Sequence, residues 1–264
     1  MAGRKLSTTW NAVRYEDGGW KEREEEVASE YPLTVRLDGE EFATIVCTPA
    51  DLDEMVIGFL ASEGVILTAD DVTGLSIDDE RGMADVELKR KHTASAEFYG
   101  KRFIGSCCGK GRQFYLQNDV RTARTSTSRL RVSAERCLEL MRRLQAESAA
   151  YRHTGGVHNA ALCSPEGIVV TRSDIGRHNA LDKIYGYCLL HRIPTRDGIV
   201  AFSGRLSSEV VLKTAKIGAA VLLSNAAPTD LGLKLAAELG LTVAGFARDA
   251  QMNVYTHRER ITTA

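Results

Sequence analysis

The strongest constraint on the fold lies in the second half of the chain, where short apolar segments alternate with amphipathic ones. "GIVAF", "AAVLLS" and "LTVAGFA" are predicted strands, and "SEVVLKTAKIG" and "TDLGLKLAAELG" between them are predicted helices. Strands that alternate with helices predict a parallel or mixed sheet that is covered on both faces. Gly218 and Gly240 follow the two helical segments, where a glycine commonly ends a helix.

The first half of the chain has a different pattern. Polar and apolar residues alternate over Leu33–Leu37 and Glu41–Cys47, and Asp38-Gly39 between them predicts a hairpin. A helix is expected next, with Thr48 as its N-cap. A second hairpin is predicted to turn around residues 79–82. This half is therefore expected to be α+β.

The change of pattern near Asp119 predicts two domains. Residues 120–132 carry four arginines and a Thr/Ser cluster, which is typical of an exposed basic connector. We therefore predict a small N-terminal α+β domain over residues 1–119, with extended polar residues up to about Ser29, and an α/β domain over residues 133–264. Ser133 is the expected N-cap of the first helix of the second domain.

Composition excludes several classes of partner. The formal net charge is −1, so no global field attracts the chain to nucleic acid or to an anionic membrane. Apolar runs are too short to span a bilayer, and the N-terminus lacks the basic-then-apolar order of a signal peptide. The six cysteines show no framework spacing. We expect a cytoplasmic protein with neither nucleic acid nor membrane as a partner.

Candidate ligand-binding residues follow the predicted strands. Loops at the carboxyl ends of strands in an open α/β sheet form ligand sites. The four candidate segments are His153–Ala160, Ser173–Lys183, Phe202–Glu209 and Gly245–Gln251. Arg205 and the backbone N–H groups beside it suit a phosphate, whereas His178 alone is more typical of a structural hydrogen-bonding residue. Together the segments favour a phosphate-bearing, nucleotide-like ligand.

Metal catalysis is not expected. His257 and Glu259 match the H-x-E half of a zinc deaminase signature, but the chain contains no P-C-x-x-C. A C-x-x-C is absent altogether, which also argues against a zinc ribbon or a thioredoxin-like dithiol.

The segment "SCCGKGR" places Cys107 and Cys108 side by side between glycines and cations. A nearby cation lowers the pKa of a thiol, and Lys110 and Arg112 supply two. The pair is therefore interpreted as reactive thiols, suited to nucleophilic transfer including acceptance of a persulfide sulfur, with a packing pair as the alternative. The other four cysteines stand in apolar segments and are expected in the core.

Taken in order, several stretches resemble the formate dehydrogenase accessory sulfurtransferase family (FdhD). They are "EYPLTVRLDGEEF", "GFLASEGVI", "SCCGKGRQ", "TGGVHNAAL", "DIGRHNALDK", "FSGRLSSEVVLKTAKIGAAVLLS" and "YTHRERI". The resemblance implies a small N-terminal α+β domain and a C-terminal cytidine-deaminase-like three-layer α/β domain without the deaminase metal site.

The resemblance also implies a function. Such a protein takes sulfur from a cysteine desulfurase as a cysteine persulfide and passes it to the molybdenum cofactor, a bis(molybdopterin guanine dinucleotide), for formate dehydrogenase. It also implies a homodimer. The persulfide position falls on Cys107. Many members have C-x-x-C here, whereas this chain has Lys110 and an adjacent Cys108, so both cysteines stay candidates.

The family's cofactor-contacting stretch falls on Phe246, Ala247, Arg248, Asp249, Ala250 and Gln251. Arg205 and His178 complete the candidate cofactor-binding set. Two alternatives remain: a molybdenum cofactor chaperone without sulfur chemistry, which does not need the paired thiols, and a degenerate deaminase-like nucleotide-binding module.

Overall fold

The computed structural model describes residues 5–90, 102–104, 123–148 and 153–263, and every structural statement below concerns those residues. Strands β1 (Ser7–Glu16) and β2 (Gly19–Ala28) form an antiparallel hairpin at the N-terminus. This result corrects the expectation of extended residues before Ser29. Asp17 and Gly18 between the strands both have positive φ, at 52° and 81°, as a two-residue type I′ turn requires.

A five-stranded sheet follows. Its strands are β3 (Tyr31–Leu37), β4 (Glu40–Cys47), β5 (Val72–Asp78), β6 (Met83–Leu88) and β7 (Arg102–Ile104), and they lie in the order β5-β6-β3-β4-β7. Helix α1 (Leu52–Ser62) connects β4 to the rest of the sheet. Both predicted hairpins are present, and Asp38 and Gly39 have φ of 49° and 91° in the first of them. The α+β character of this half is confirmed.

In the second half, the described residues form a six-stranded mixed sheet and the helices that pack on it. The chain runs through β8 (Val132–Ser133), α2 (Ala134–Glu147), β9 (His158–Ser164), β10 (Gly167–Asp174), α3 (Arg177–Leu190), β11 (Ile199–Phe202), α4 (Ser208–Ile217), β12 (Val221–Ser224), α5 (Asp230–Glu238), β13 (Thr242–Arg248), β14 (Gln251–Thr256) and β15 (Ile261–Thr262). The sheet order is β10-β9-β11-β12-β13-β14. Strands β11, β12 and β13 are parallel to one another, and the remaining pairs are antiparallel.

Alternating side chains of β11 show that helices cover both faces of this sheet. Ile199 and Ala201 belong to a core with Leu140 and Leu144 of α2. Val200 and Phe202 belong to a second core that includes residues of α3, α4 and α5. The prediction of a mixed sheet covered on both faces is therefore confirmed. Strands β14 and β15 were not predicted.

Helices α1 and α3 cross in backbone contact and join the two halves. A Cβ atom on Gly58 would lie 1.7 Å from the carbonyl oxygen of Asp182, and one on Gly186 would lie 1.9 Å from that of Glu54. Because only glycine permits this approach, both positions need it. One hydrophobic core runs from the five-stranded sheet through this crossing to α3. The division into domains at residues 119 and 133 stays a prediction.

Two local predictions need correction. Thr48 is not the N-cap of α1: the helix begins three residues later at its N-cap Asp51, because the hydroxyl of Thr48 accepts a hydrogen bond from the N–H of Ile175 instead. The described part of the connector is fixed in place at Ser128, which is buried and donates to Asp197 at 2.6 Å. Arg124, Arg129 and Arg131 are exposed there, as expected.

The predicted cap at Ser133 is confirmed, since its hydroxyl accepts from the N–H of Arg136. No helix within the described ranges has the length and apolar character needed to cross a bilayer.

Candidate functional site

The four candidate segments meet at one edge of the six-stranded sheet. This edge holds the carboxyl ends of β10, β11, β12 and β13 and the amino end of β9, because Asp174 pairs with His158 and Phe202 pairs with Ala160. Ser203 and Asn159 hold β11 and β9 together there, with Ser203 N–H donating to Asn159 O at 3.0 Å. The predicted convergence of these segments is confirmed.

A histidine, His158, lies at the amino end of β9 on this edge. The ring of His158 stacks on Phe202, with centroids 6.5 Å apart and an interplanar angle of 26°. Burial lowers the pKa of His158, and the nearby positive charges of Arg177 and His178 lower it further. The imidazole is therefore held in its neutral form, in which one ring nitrogen can accept a hydrogen bond or a proton.

Gly204 makes room for this stack. A Cβ atom at that position would lie 2.8 Å from the Phe202 ring and 3.5 Å from Nδ1 of His158. The glycine therefore lets the link between β11 and α4 pass close to both rings.

His178 lies in the first turn of α3, and its Nε2 is 2.8 Å from Oε2 of Glu209 in α4. Both side chains are about four-fifths buried. The contact connects the N-terminal turns of two helices that both begin at the site edge. The contact does not have hydrogen-bond geometry, because Nε2 of His178 has no hydrogen-bond partner among the described residues. The structural role of His178 and its proposed contact with a cofactor both stay predictions.

Arg205 is exposed on the short link between β11 and α4. Leu206 beside it is buried, and Ser207 is the N-cap of α4 without a side-chain cap bond. The first N–H groups of α4 therefore lie close in sequence to an exposed guanidinium at the sheet edge. Cation and helix N-terminus together suit a phosphate.

The segment Phe246–Gln251 is a hairpin rather than the predicted strand-end loop. Strand β13 continues to Arg248, β14 begins at Gln251, and Asp249 and Ala250 form the turn. Phe246 and Asp249 have positive φ, at 52° and 57°. Phe246 lies within the register shift between Gly245 and Arg248, and Asp249 lies in the turn. Pairing between β13 and β14 is interrupted between Gly245 and Arg248 and resumes with Arg248 opposite Gln251.

Side chains in this hairpin point to different environments. Ala247 is fully buried in the core, so only its backbone is left to meet a ligand. Phe246 is 36% exposed. The exposed side chains are Arg248, Asp249, Ala250 and Gln251.

A buried polar network fixes the segment that follows β10, and sequence reasoning missed it. Nζ of Lys183 lies 2.8 Å from Oδ2 of Asp174, and both side chains have no exposure. The same carboxylate oxygen accepts the N–H of Thr48 at 2.9 Å, and Lys183 donates to the Thr48 carbonyl at 3.3 Å. Thr48 thus joins the end of β4 to the site edge.

Asn179 extends this network. Its amide nitrogen donates to Oδ1 of Asp174 and to the carbonyl of Val46, both at 2.9 Å. The N–H of Gly176 also donates to Oδ1 of Asp174, at 2.8 Å. Most polar residues of "DIGRHNALDK" therefore have structural partners, and they set the position of Arg177 and His178 beside His158.

The cysteines divide into two groups. Cys107 and Cys108 lie outside the described residues. The last described residue before them is Ile104, at the end of β7, and it pairs with Ile45 of β4. The core cysteines Cys47, Cys137, Cys163 and Cys188 are free and buried, and burial raises the pKa of each thiol to about 12. The core prediction for these four is confirmed.

The H-x-E pair has structural contacts. Nδ1 of His257 lies 3.3 Å from Oε1 of Glu259, and Nε2 lies 3.0 Å from the carbonyl oxygen of Ala237 at the end of α5. Within the described parts of the chain, no group of three His, Cys, Asp or Glu side chains converges on a possible metal position.

These features define a mixed α/β protein with a polar, cation-bearing sheet edge. The model of the FdhD/NarQ family matches residues 28–262, and the chain belongs to this family. The resemblance seen in the sequence is thereby confirmed.

Relatives match over nearly the whole chain. A protein named sulfur carrier protein FdhD from Geobacillus kaustophilus is 58% identical over 249 residues, which cover 94% of this chain and 95% of the relative. A protein of the same name from Bacillus subtilis is 51% identical over 257 residues, covering 97% and 98%. The crystal structure of a protein described as a formate dehydrogenase accessory protein from Desulfotalea psychrophila matches with a TM-score of 0.80 and 27% identity, covering 98% of this chain and all of that one.

Proposed function

We propose that this protein is a sulfur carrier in the maturation of formate dehydrogenase. It accepts sulfur from a cysteine desulfurase and passes it to the molybdenum cofactor, a bis(molybdopterin guanine dinucleotide). The observation that carries this proposal is the similarity, over more than nine-tenths of the chain, to proteins named sulfur carrier protein FdhD. The carrier works in the cytoplasm as a homodimer, and its C-terminal half is cytidine-deaminase-like.

The chemistry assigned to "SCCGKGR" is thiol–persulfide exchange. The thiolate of Cys107 attacks the terminal sulfur of the donor's persulfide, the bond between the two donor sulfurs breaks, and the donor cysteine leaves as a thiolate. The products are a persulfide on Cys107 and a reduced donor thiol, so the step needs no external oxidant. Cys108 assists. The four core cysteines are poor alternatives, because a thiol with a pKa of about 12 is protonated at neutral pH.

The sheet edge is the proposed cofactor site. A guanine dinucleotide carries phosphates, which suit Arg205, the N-terminus of α4 and Arg248 of the β13–β14 hairpin. The exposed ring of Phe246 offers an apolar surface beside them. His178, Asp249, Ala250 and Gln251 complete the proposed set, with the backbone of Ala247. The cofactor is cargo here, and no catalytic metal ion is proposed.

Intact-mass analysis tests this function. The purified protein is incubated with a cysteine desulfurase and L-cysteine, and the persulfide appears as a gain of one sulfur atom that a reductant removes. If the protein bound the cofactor but did not gain the mass of one sulfur atom, it would be a cofactor chaperone rather than a sulfur carrier. A gain that stays after both Cys107 and Cys108 are replaced by alanine would show that the loop is not the carrier.

A further inference from the structure

The N-terminal hairpin stands apart from the rest of the structure. Strands β1 and β2 contain ten residues each and pair only with one another among the described strands. None of their residues is buried. An isolated two-stranded hairpin is marginally stable in water, so this arm (residues 7–28) gains most by packing against another surface.

The two faces of the arm differ in charge. Strand register places Val13, Tyr15, Trp20, Glu22, Glu24 and Glu26 on one face, which we call the acidic face. It contains three carboxylates and no basic residue. Tyr15 and Trp20 stack at its tip with ring centroids 5.1 Å apart, and they are 61% and 72% exposed.

The cations of the opposite face are ion-paired. It holds the arm's three cations, Arg14, Lys21 and Arg23. Arg14 pairs with Glu25, while Lys21 and Arg23 contact Glu16 at 2.9 and 2.8 Å.

The acidic face keeps its negative charge. Glu26 accepts hydrogen bonds from the hydroxyls of Ser7 and Thr9, which lower the pKa of this carboxyl, and the nearby charge of Lys5 lowers it further. Glu22 and Glu24 are exposed and form no ion pair with any residue that the structure describes. An exposed aromatic pair beside uncompensated carboxylates complements a surface that has a cationic rim and an apolar recess.

The base of the arm adjoins the candidate site. Ala28, at the end of β2, lies so close to Gly156 that a Cβ on the glycine would be 3.1 Å from that of Ala28. Gly156 precedes β9 by two residues, and β9 begins at the site edge with His158. A protein held by the arm is therefore held beside that edge.

We propose that the acidic face docks a partner protein that presents a cationic surface around an apolar recess. The proposed function enters only in the choice of probes, which are a purified cysteine desulfurase and a purified formate dehydrogenase from the same organism. The arm then brings the partner to the site by electrostatic attraction, with the Tyr15–Trp20 pair inserted into its recess.

The chain provides its own reporters for the test. Its two tryptophans are Trp10 and Trp20, and the strand register places them on opposite faces of the arm. Full-length protein labelled with 5-fluorotryptophan gives two ¹⁹F resonances, assigned with Trp10→Phe and Trp20→Phe. We expect one unlabelled probe protein to shift or broaden the Trp20 resonance and to leave that of Trp10 unchanged. Salt should reverse the effect, because it screens exposed charges.

Charge reversal supplies the second readout. Glu22→Lys combined with Glu24→Lys should raise the Kd of that probe protein at least about tenfold, since like charges would then face each other. The matched control is Glu87→Lys combined with Glu238→Lys, which changes the net charge equally on exposed positions outside the arm. Trp20→Ala should weaken binding more than Trp10→Ala.

Three results separate the possibilities. An unchanged Trp20 resonance with both probe proteins, in wild-type protein that loads sulfur, would overturn the docking proposal and leave the proposed function standing. A Trp20 shift that appears when this protein alone is concentrated would assign the face to a second copy and would also overturn it. A partner-dependent Trp20 shift without sulfur loading would support docking and count against the sulfur-carrier function.

Discussion

Lys183 and Asp174 form an ion pair with Nζ and Oδ2 2.8 Å apart and no exposure of either side chain. The pair connects three elements, because the main chain of Thr48 at the end of β4 contacts both partners. It therefore determines how β10, α3 and β4 meet at the site edge.

Removing one partner of this pair should be costly. Lys183→Met leaves the carboxylate of Asp174 buried without its cation, and we expect a loss of about 3–5 kcal/mol in the free energy of unfolding. Adding Asp174→Asn removes the uncompensated charge and should recover part of this loss. Urea denaturation of both variants measures the difference. Equal stability of Lys183→Met and wild type would show that the pair does not contribute in this way.

The crossing of α1 and α3 gives a second stability prediction. Gly58→Ala places a Cβ 1.7 Å from the Asp182 carbonyl oxygen, so the helices must separate. Overpacking of this kind typically costs about 1–3 kcal/mol, and the backbone clash here favours the upper end. Gly19→Ala is the control, because no atom lies within 4 Å of the added Cβ. Thermal unfolding of the two variants compares them directly.

Arg248→Ala should weaken the binding of GDP, used as a probe for the guanine dinucleotide. Loss of a charge-assisted phosphate contact is expected to reduce the binding free energy by about 1.5–3 kcal/mol without changing the fold. Isothermal calorimetry measures the affinity, and Arg142→Ala on α2 serves as the control for the loss of an exposed arginine. If Arg248→Ala bound GDP with unchanged affinity, the β13–β14 hairpin would not be part of the binding site.

The thiol pair is tested residue by residue. Cys107→Ala should abolish persulfide formation, because Cys107 falls at the position that matches the family's persulfide cysteine, and Cys108→Ala should reduce it. Intact mass after desulfurase treatment is the measurement, paired with formate dehydrogenase activity in cells that carry only the variant. If only Cys108→Ala abolished persulfide formation, Cys108 rather than Cys107 would carry the sulfur.

Protonation of His158 should destabilise the folded protein. Burial and two neighbouring cations lower its pKa below the ordinary value of 6.5, so the unfolded chain binds the proton more tightly. The contribution of the neutral ring is present above pH 6.5 and is lost as the pH falls toward the folded-state pKa. His158→Gln should therefore lose less stability than wild type between pH 7 and pH 5, as measured by urea denaturation. A parallel decline in both proteins would contradict the prediction.

Two Asp-Gly turns show what the sequence pattern could reveal. Asp38-Gly39 is flanked by apolar alternation, because one face of β3 and β4 enters the core, and its hairpin was predicted. Asp17-Gly18 makes the same kind of turn, but β1 and β2 have no core face. Without a buried face the arm has no periodic apolar signal, and its hairpin was missed.

The candidate site also has features that the sequence pattern predicts and features that it does not. Convergence of three of the four segments followed from the alternation of strands and helices, since each of them follows a strand. His153–Ala160 instead leads into the amino end of the antiparallel strand β9. Thr48 resembled a helix N-cap by local pattern, but its partners are more than 100 residues away in the sequence. Patterns in neighbouring residues cannot predict contacts between residues so far apart in the sequence. The signal that was available is Lys183 itself, a cation within the apolar helical segment "ALDKIYGYC".

The glycine contact between α1 and α3 limits how this molecule can be divided in the laboratory. A fragment that begins at residue 133 would expose to water the face of α3 that now rests on α1, and the Lys183–Asp174 pair would lose both of its contacts with Thr48. Such a fragment should aggregate when expressed alone. Study of the C-terminal half therefore requires the intact chain, or both fragments produced together in one cell.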